Sequence, residues 1–333
     1  MKLSYSFIVP VYNRPDEVEE LLSSLTKQTF KEPFEIVIIE DGSTLSSVKI
    51  VDKYKNRLQI SYYFKENSGP GDSRNYGMKK AKGNYFIILD SDCILPPQYL
   101  EKANESLQNE YVDCFGGPDA AHHSFSNIQK AINYSMTSIF TTGGIRGNKN
   151  SVGKFQPRSF NMGISRIVFE NTGGFGKIHP GEDPDLTIRI WKAGYKTKLI
   201  HEAFVYHKRR ISWKKFYQQV NKFGLTRPIL NSWHPHTKNI TYWFPTIFIL
   251  GLLISIILWF FGFRYALMCF FLYFSIVFID SLIKNKSLKI AFLTIFAILI
   301  QFYGYGVGFV KSTFLVNFLN RKPQKVFPKL FFN

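Results

Sequence analysis

Along the first 120 residues, short apolar stretches alternate with segments whose apolar positions recur at helical spacing. "SYSFIVPVY" (4–12), "FEIVIIE" (34–40), "LQISYYF" (58–64) and "NYFIILD" (84–90) are nearly continuous and rich in β-branched and aromatic residues, as strands buried on both faces are. Between the first two, "RPDEVEELLSSLTKQ" (14–28) sets Val18, Leu21, Leu22 and Leu25 on one helical face, with Pro15 and Asp16 near its start. "GDSRNYGMKKAKG" (71–83) reads as a helix closed by Gly83. The alternation predicts an α/β fold with a mostly parallel sheet flanked by helices. Ligands of such sheets bind beyond the carboxyl ends of the strands, which is where "NRPD", "EDGS" and "DSD" fall.

From 121 to 202 the rhythm is irregular. A Gly-rich loop (141–153) precedes "FQPRSFNMGISR" (155–166), "NTGGFG" (171–176) and "GEDPDLTIRIWKAGY" (181–195), with a helix expected over 186–193. Residues 208–238 form a basic connector containing Trp213 and Trp233, which reads as an interfacial helix. Residues 239–263 carry no charge and are long enough to cross a hydrocarbon core of ~30 Å. A second apolar run (265–283) contains Asp280, and a third (290–310) ends in "GYGVG", the pattern of a kinked or re-entrant element. Residues 239–311 therefore hold two or three transmembrane or re-entrant segments, and 312–333 make a basic tail. Three full crossings would put "RKPQKVFPK" (321–329) on the side opposite the N-terminal domain, against the positive-inside tendency.

Charge sharpens this picture. Of the net +18, almost all lies after residue 202: 17 Lys/Arg stand against Asp280 alone, whereas residues 1–202 are near balance, 25 against 23. Basic residues beside apolar spans point to anionic lipid headgroups. No zinc-finger, RNP-type or basic-zipper pattern supports a nucleic-acid partner. Three dispersed cysteines without a CxxC indicate buried thiols in a reducing compartment, and the N-terminus reads as a first strand rather than a signal peptide.

Residues two apart in a strand point the same way, so Asp90 and Asp92 are expected to aim both carboxylates into one volume. Two like charges there raise each other's pKa unless a cation such as Mg²⁺ neutralises them. Read alone, the same Asp-Ser-Asp is also a solvated turn. Asp41 likewise reads as a ligand or as a turn or cap residue. Asp183 is either a helix N-cap followed by Pro184 or a general base kept ionised by a helix N-terminus. There is no P-loop, and "GPGDSRNYG" lacks the third glycine of a dinucleotide fingerprint, so bound phosphates would need a metal.

In order and spacing, "SFIVPVYNR" (6–14), "IVIIEDGS" (36–43), the stretch 68–92, "NMGISR" (161–166) and "GEDPDLTIRIWKAGY" (181–195) resemble the family 2 glycosyltransferases over residues 1–225. The resemblance implies a GT-A fold, with a nucleotide-sugar half at 1–120 and an acceptor half at 121–225. It also implies a nucleotide-sugar donor with a leaning to UDP, Mg²⁺ or Mn²⁺, and inverting transfer to a hydroxyl. Carried over, Pro10 and Tyr12 line the nucleobase pocket and Asp41 accepts from base or ribose. Arg74 reaches the nucleobase, Asn75 orders the loop, and Asp90 lies near the ribose or the metal's outer shell. Asp92 ligates the metal, Asp183 is the base, and Glu182 supports it. His207 corresponds to a histidine that some relatives use as a further metal ligand, beside Lys208, Arg209 and Arg210; it also reads as an incidental member of a basic cluster. Residues 143–153 and Arg158 fall where acceptor loops lie. His122, His123, His179 and His201 receive no role.

The QxxRW of processive members is missing from "YQQVNKFG" (217–224), which implies single additions. The leading expectation is a glycosyltransferase of cell-envelope polysaccharide or glycolipid assembly, on the inner (plasma) membrane with its catalytic domain cytoplasmic. Its partners would be a lipid-linked or glycan acceptor and membrane lipids. A polyprenyl-phosphate sugar synthase, which needs no hydroxyl-activating base, and an inactive scaffold of an export complex are the alternatives.

Overall fold

The computed structural model describes residues 2–120, 122, 124–143, 155–208 and 212–332. These form two compact units: residues 1–122, 144–208 and 331–333 in the first, and 123–143 with 209–330 in the second.

The first unit opens with β1 (Tyr5–Val11), α1 (Pro15–Leu25), β2 (Glu35–Asp41), α2 (Val48–Tyr54), β3 (Gln59–Lys65), α3 (Pro70–Lys80) and β4 (Tyr85–Leu89). Apart from the short α2, each was legible in the hydrophobic pattern. After β4 come β5 (Cys93–Ile94), α4 (Tyr99–Asn109), β6 (Cys114–Gly116) and β7 (Asp119–Ala120). The chain then contributes α5 (Asn127–Thr137) and α6 (Ile139–Thr142) to the second unit. It returns for β8 (Asn161–Ser165), α7 (Arg166–Thr172), α8 (Glu182–Lys192), β9 (Thr197–Leu199) and β10 (Val205–His207).

The main sheet runs β3-β2-β1-β4-β8-β6-β9, with β8 antiparallel to both of its neighbours and the other pairs parallel. Alternate residues supply the two faces. Phe7, Val9, Tyr85, Ile87 and Leu89 join Leu21, Leu22 and Tyr99 in one core. Ile8, Phe86 and Ile88 join Met162, Leu186 and Ile190 in the other. Burial on both faces explains the continuous apolar runs of β1, β2 and β4. β3, at the edge of the sheet, is only partly buried and leaves Phe64 exposed, against the expectation for its run. Pro10 costs no ladder bond toward β4, because that pairing ends at Ile8↔Ile88.

A second, three-stranded sheet, β5-β10-β7, has more bearing on chemistry. β10 pairs antiparallel with β5, setting His207 opposite Cys93, and parallel with β7 near Asp119.

The second unit adds α9 (Trp213–Trp233), α10 (Phe244–Phe260), α11 (Tyr265–Asn285) and α12 (Leu288–Ser312) to α5 and α6. Among the described residues, three of its helices are long and apolar enough to cross a membrane. The "GYGVG" stretch proves to lie inside one continuous helix rather than at a kink or re-entrant break. Its glycines allow close packing: a methyl on Gly308 would overlap the Asn221 carbonyl of α9, and one on Gly224 would overlap the Tyr305 carbonyl.

The boundary expected near 225 falls at 208, and 123–143 leave the acceptor half altogether. The reason is hydrophobic. Ile128, Ile132 and Met136, spaced one helical turn apart on α5, pack with Phe216, Val220 and Ala297 of the second unit. Asp280 pairs within this unit with Lys284 at 2.9 Å and accepts a hydrogen bond from the Tyr134 hydroxyl.

Candidate active site

A cluster of partly and fully buried ionisable side chains of the first unit, among them Arg14, Asp41, Asp90 and Asp92, lies at the carboxyl ends of β1, β2 and β4. β4 stops at Leu89, so Asp90 and Asp92 lie in a turn closed by the Cys93 amide donating to the Asp90 carbonyl at 3.2 Å. The two carboxylates are thus carried by a turn rather than by the strand itself, and their nearest charged partners differ.

Asp90 Oδ1 accepts from Arg74 Nη2 at 2.7 Å, and the same guanidinium donates through Nη1 to Glu182 Oε1 at 3.0 Å. Arg74 is almost fully buried and packs over the Phe175 ring at 5.3 Å. One cation therefore ties the end of β4 to the start of α8. His179 Nδ1 lies 2.8 Å from the same Glu182 oxygen. Burial alone would raise the Glu182 carboxyl; His179 and Arg74 outweigh it and hold it down at about 2.

Asp92 faces the other way. Its Oδ1 lies 3.1 Å from His207 Nε2, and its Oδ2 lies 3.4 Å from Arg14 Nη1. The small sheet explains the meeting: Lys208 N donates to the Asp92 carbonyl at 3.0 Å, which locks β10 beside the turn. The His207 ring stacks on Phe160 at 4.7 Å, and its Nδ1 lies 3.8 Å from Asp119 Oδ2. Among the described residues, Asp92, Cys93 and His207 bring donor atoms within 4.8 Å of one another. Burial pushes the Cys93 thiol well up, and its Sγ donates to the Phe160 carbonyl at 3.4 Å. Hard cations such as Mg²⁺ and Mn²⁺ prefer oxygen and imidazole donors, so Asp92 and His207 suit such an ion best. A carboxylate and an imidazole whose far nitrogen faces a second carboxylate fit a divalent cation.

α8 starts at Glu182, with Gly181 (φ 122°) as its N-cap. Asp183 is thus the second helical residue rather than the cap, and Pro184 the third. Its carboxylate is largely shielded, with Arg158 Nη1 at 3.7 Å from Oδ2. Three acids in the first turn of α8 profit from the unsatisfied amides and positive end of the helix.

The glycosyl transferase family 2 model matches residues 6–172, just over half of the chain. The chain belongs to glycosyl transferase family 2. Among its relatives is the poly(ribitol-phosphate) beta-N-acetylglucosaminyltransferase TarS of Staphylococcus aureus, 37% identical over 114 residues, which are 33% of this chain and 20% of TarS. The chain therefore spans about a fifth of that relative's length. Glycosyltransferase AglE of Haloferax volcanii is 26% identical over 221 residues, 62% of this chain and 67% of its own. Among solved structures, the mannosyltransferase PcManGT from Pyrobaculum calidifontis covers 97% of this chain and 89% of its own, at TM-score 0.57 and 15% identity. That likeness supports the GT-A fold of the family 2 unit.

Several positions carried over from family 2 have definite local partners. Asp41, buried at the end of β2, accepts from Lys65 Nζ at 2.6 Å and from the Ser68 and Gly69 amides at 3.0 Å each. It organises the loop before α3. Arg74 points into the Asp90–Glu182 bridge instead of toward a nucleobase, because both terminal nitrogens are engaged there. Asn75 bonds both the amide and the carbonyl of Phe175, at 2.8 and 2.9 Å, and so orders that loop. Tyr12, two residues after Pro10 and just past β1, is 53% exposed. Lys208 pairs with Glu20 rather than standing ready for a diphosphate. Arg209, Arg210 and the loop 144–153 lie outside the described residues.

Three contributors carried no sequence assignment. Arg14 sat in the recognised "NRPD" cluster. His179 precedes Glu182 by three residues, the spacing of a helix-start contact. Phe175 gave no signal.

Proposed function

We propose that this chain is a membrane-associated, inverting glycosyltransferase that moves one sugar at a time from a nucleotide-sugar, with UDP favoured, to a hydroxyl of a lipid-linked or cell-surface glycan acceptor. The observation that carries this reading is the division of acids in the first unit. Asp92 meets His207, while Asp183 stands at the helix end that the Arg74 bridge fixes to Asp90. Asp183 takes the acceptor proton as the oxygen attacks the anomeric carbon opposite the leaving group, and a single displacement inverts the centre. Glu182, held ionised by Arg74 and His179, anchors the first turn of α8 so that Asp183 keeps its place. Asp92 and His207 would hold Mg²⁺ or Mn²⁺, which when bound offsets the charge growing on the departing diphosphate. Tyr12 stacks on the base, and the Asp41-held loop borders the ribose.

Relatives support the sugar-transfer, nucleotide-sugar and divalent-cation parts of this reading. TarS is by name a poly(ribitol-phosphate) beta-N-acetylglucosaminyltransferase, and PcManGT was solved with GDP-Man and Mn²⁺. The apolar helices and the basic excess after residue 202 support an inner-membrane location, with the catalytic unit on the cytoplasmic side. A base at Asp183 favours a hydroxyl acceptor over a lipid phosphate. Detergent-solubilised protein with UDP-glucose, UDP-N-acetylglucosamine or GDP-mannose, Mn²⁺ and a lipid-linked acceptor extract is expected to release nucleoside diphosphate from one donor. Excess chelator should abolish that release. Failure to turn over or bind any nucleotide-sugar with any divalent cation would overturn the reading.

A further inference from the structure

The chain leaves the first unit at 208, runs through the helices of the second, and rejoins the first unit at 331. The return is specific. Phe331 forms an antiparallel bridge with Ile178, and the Phe332 amide donates to the Lys177 carbonyl at 3.1 Å. The Phe332 ring sits on Gly69, where an added methyl would overlap its carbons, and lies 6.1 Å from the His179 ring. Gly69 is the residue whose amide Asp41 holds, and His179 is the partner of Glu182. Two residues on, Gly71 faces the Gly176 carbonyl so closely that a methyl would stand 2.9 Å from it. The donor-side loop (68–71) and the segment leading to Asp183 (175–182) thus meet at a seam, and Phe332 covers it.

We propose that Phe332 is a positioning residue of the donor site, clamping the Asp41-held loop against the 175–182 segment. A corollary concerns the membrane. A chain whose residues before 208 and after 330 pack into the same unit crosses a bilayer an even number of times. Helices α10 and α11, whose most apolar windows are 17% and 11% buried, make that pair of crossings, and α12, at 50%, adds no third. The basic tail then lies on the catalytic side, as the positive-inside tendency asks.

This proposal rests on the glycosyltransferase reading for its kinetic arm and is independent of it for its topological arm. In sealed vesicles, with Cys269→Ser as background, Lys329→Cys is expected to react with an impermeant maleimide from the same side as Lys55→Cys on the catalytic unit. Labelling from opposite sides would overturn the docking whatever the reaction is. For the donor that turns over, Phe332→Ala should raise the KM about fivefold with kcat changed far less, while Phe332→Tyr restores it. An unchanged donor KM in Phe332→Ala, or an equal fall in kcat for both variants, would overturn the positioning role.

Discussion

Asp183→Asn should cut sugar transfer about 10³-fold, within the range that a positioned general base supplies, and lower the thermal midpoint in detergent only slightly, through the lost helix-end and Arg158 attraction. The amide keeps the size and polar surface of the carboxylate at the second position of α8. Packing is preserved while the acceptor for the hydroxyl proton is lost. A loss of that size corresponds to about 4 kcal/mol of transition-state stabilisation. Donor binding should be unaffected, because the cation and loop residues that meet the nucleotide are untouched. Steady-state kinetics on wild type and variant would therefore show kcat falling and donor KM holding. Retention of more than a tenth of the wild-type kcat would remove Asp183 from the role of base. It would also reopen the reading in which a lipid phosphate, already ionised, accepts the sugar.

Arg74→Met carries the second large effect, on stability. The guanidinium is 3% exposed, and it neutralises Glu182, 4% exposed, together with the more open Asp90. Removing one partner of a buried ion pair strands the other charge, which typically costs ~3–5 kcal/mol. Glu182→Gln in the Arg74→Met background should recover a large part of that loss, since the stranded carboxylate is then neutral. Arg74→Lys should rescue poorly, because an ammonium cannot fork between two carboxylates on opposite sides. Denaturation midpoints of the single and double variants test this as a cycle. Strictly additive losses would mean that the bridge is not a coupled unit.

Much of the catalytic fold was legible because β1, β2 and β4 are buried on both faces, which leaves few polar interruptions to confuse the pattern. Val18, Leu21, Leu22 and Leu25 announced α1 for a different reason: one face is buried and the other is solvated. The start of α8 was misread because Asp183-Pro184 has the form of a cap followed by a first helical residue. Gly181 takes the cap position with a φ that suits glycine, which moves Glu182 into the helix and under Arg74. The Arg74–Glu182 contact joins residues 108 apart and leaves no local trace. His207 could be suspected from its place after a strand, but its meeting with Asp92 depends on the β5-β10 pairing, a matter of topology. Ile128, Ile132 and Met136 did carry a readable helical stripe; their assignment to the second unit needed the partner helices.

The account depends most on Asp92 and His207 jointly holding a divalent cation against a diphosphate. Calorimetric titration of Mn²⁺ into the protein saturated with UDP tests this directly, comparing wild type with Asp92→Ala, His207→Ala and the double variant. The account predicts one cation per chain in the wild type, weakened at least tenfold in each single variant, as loss of a metal-site residue typically does, and no detectable binding in the double variant. Wild-type affinity in the double variant would contradict it.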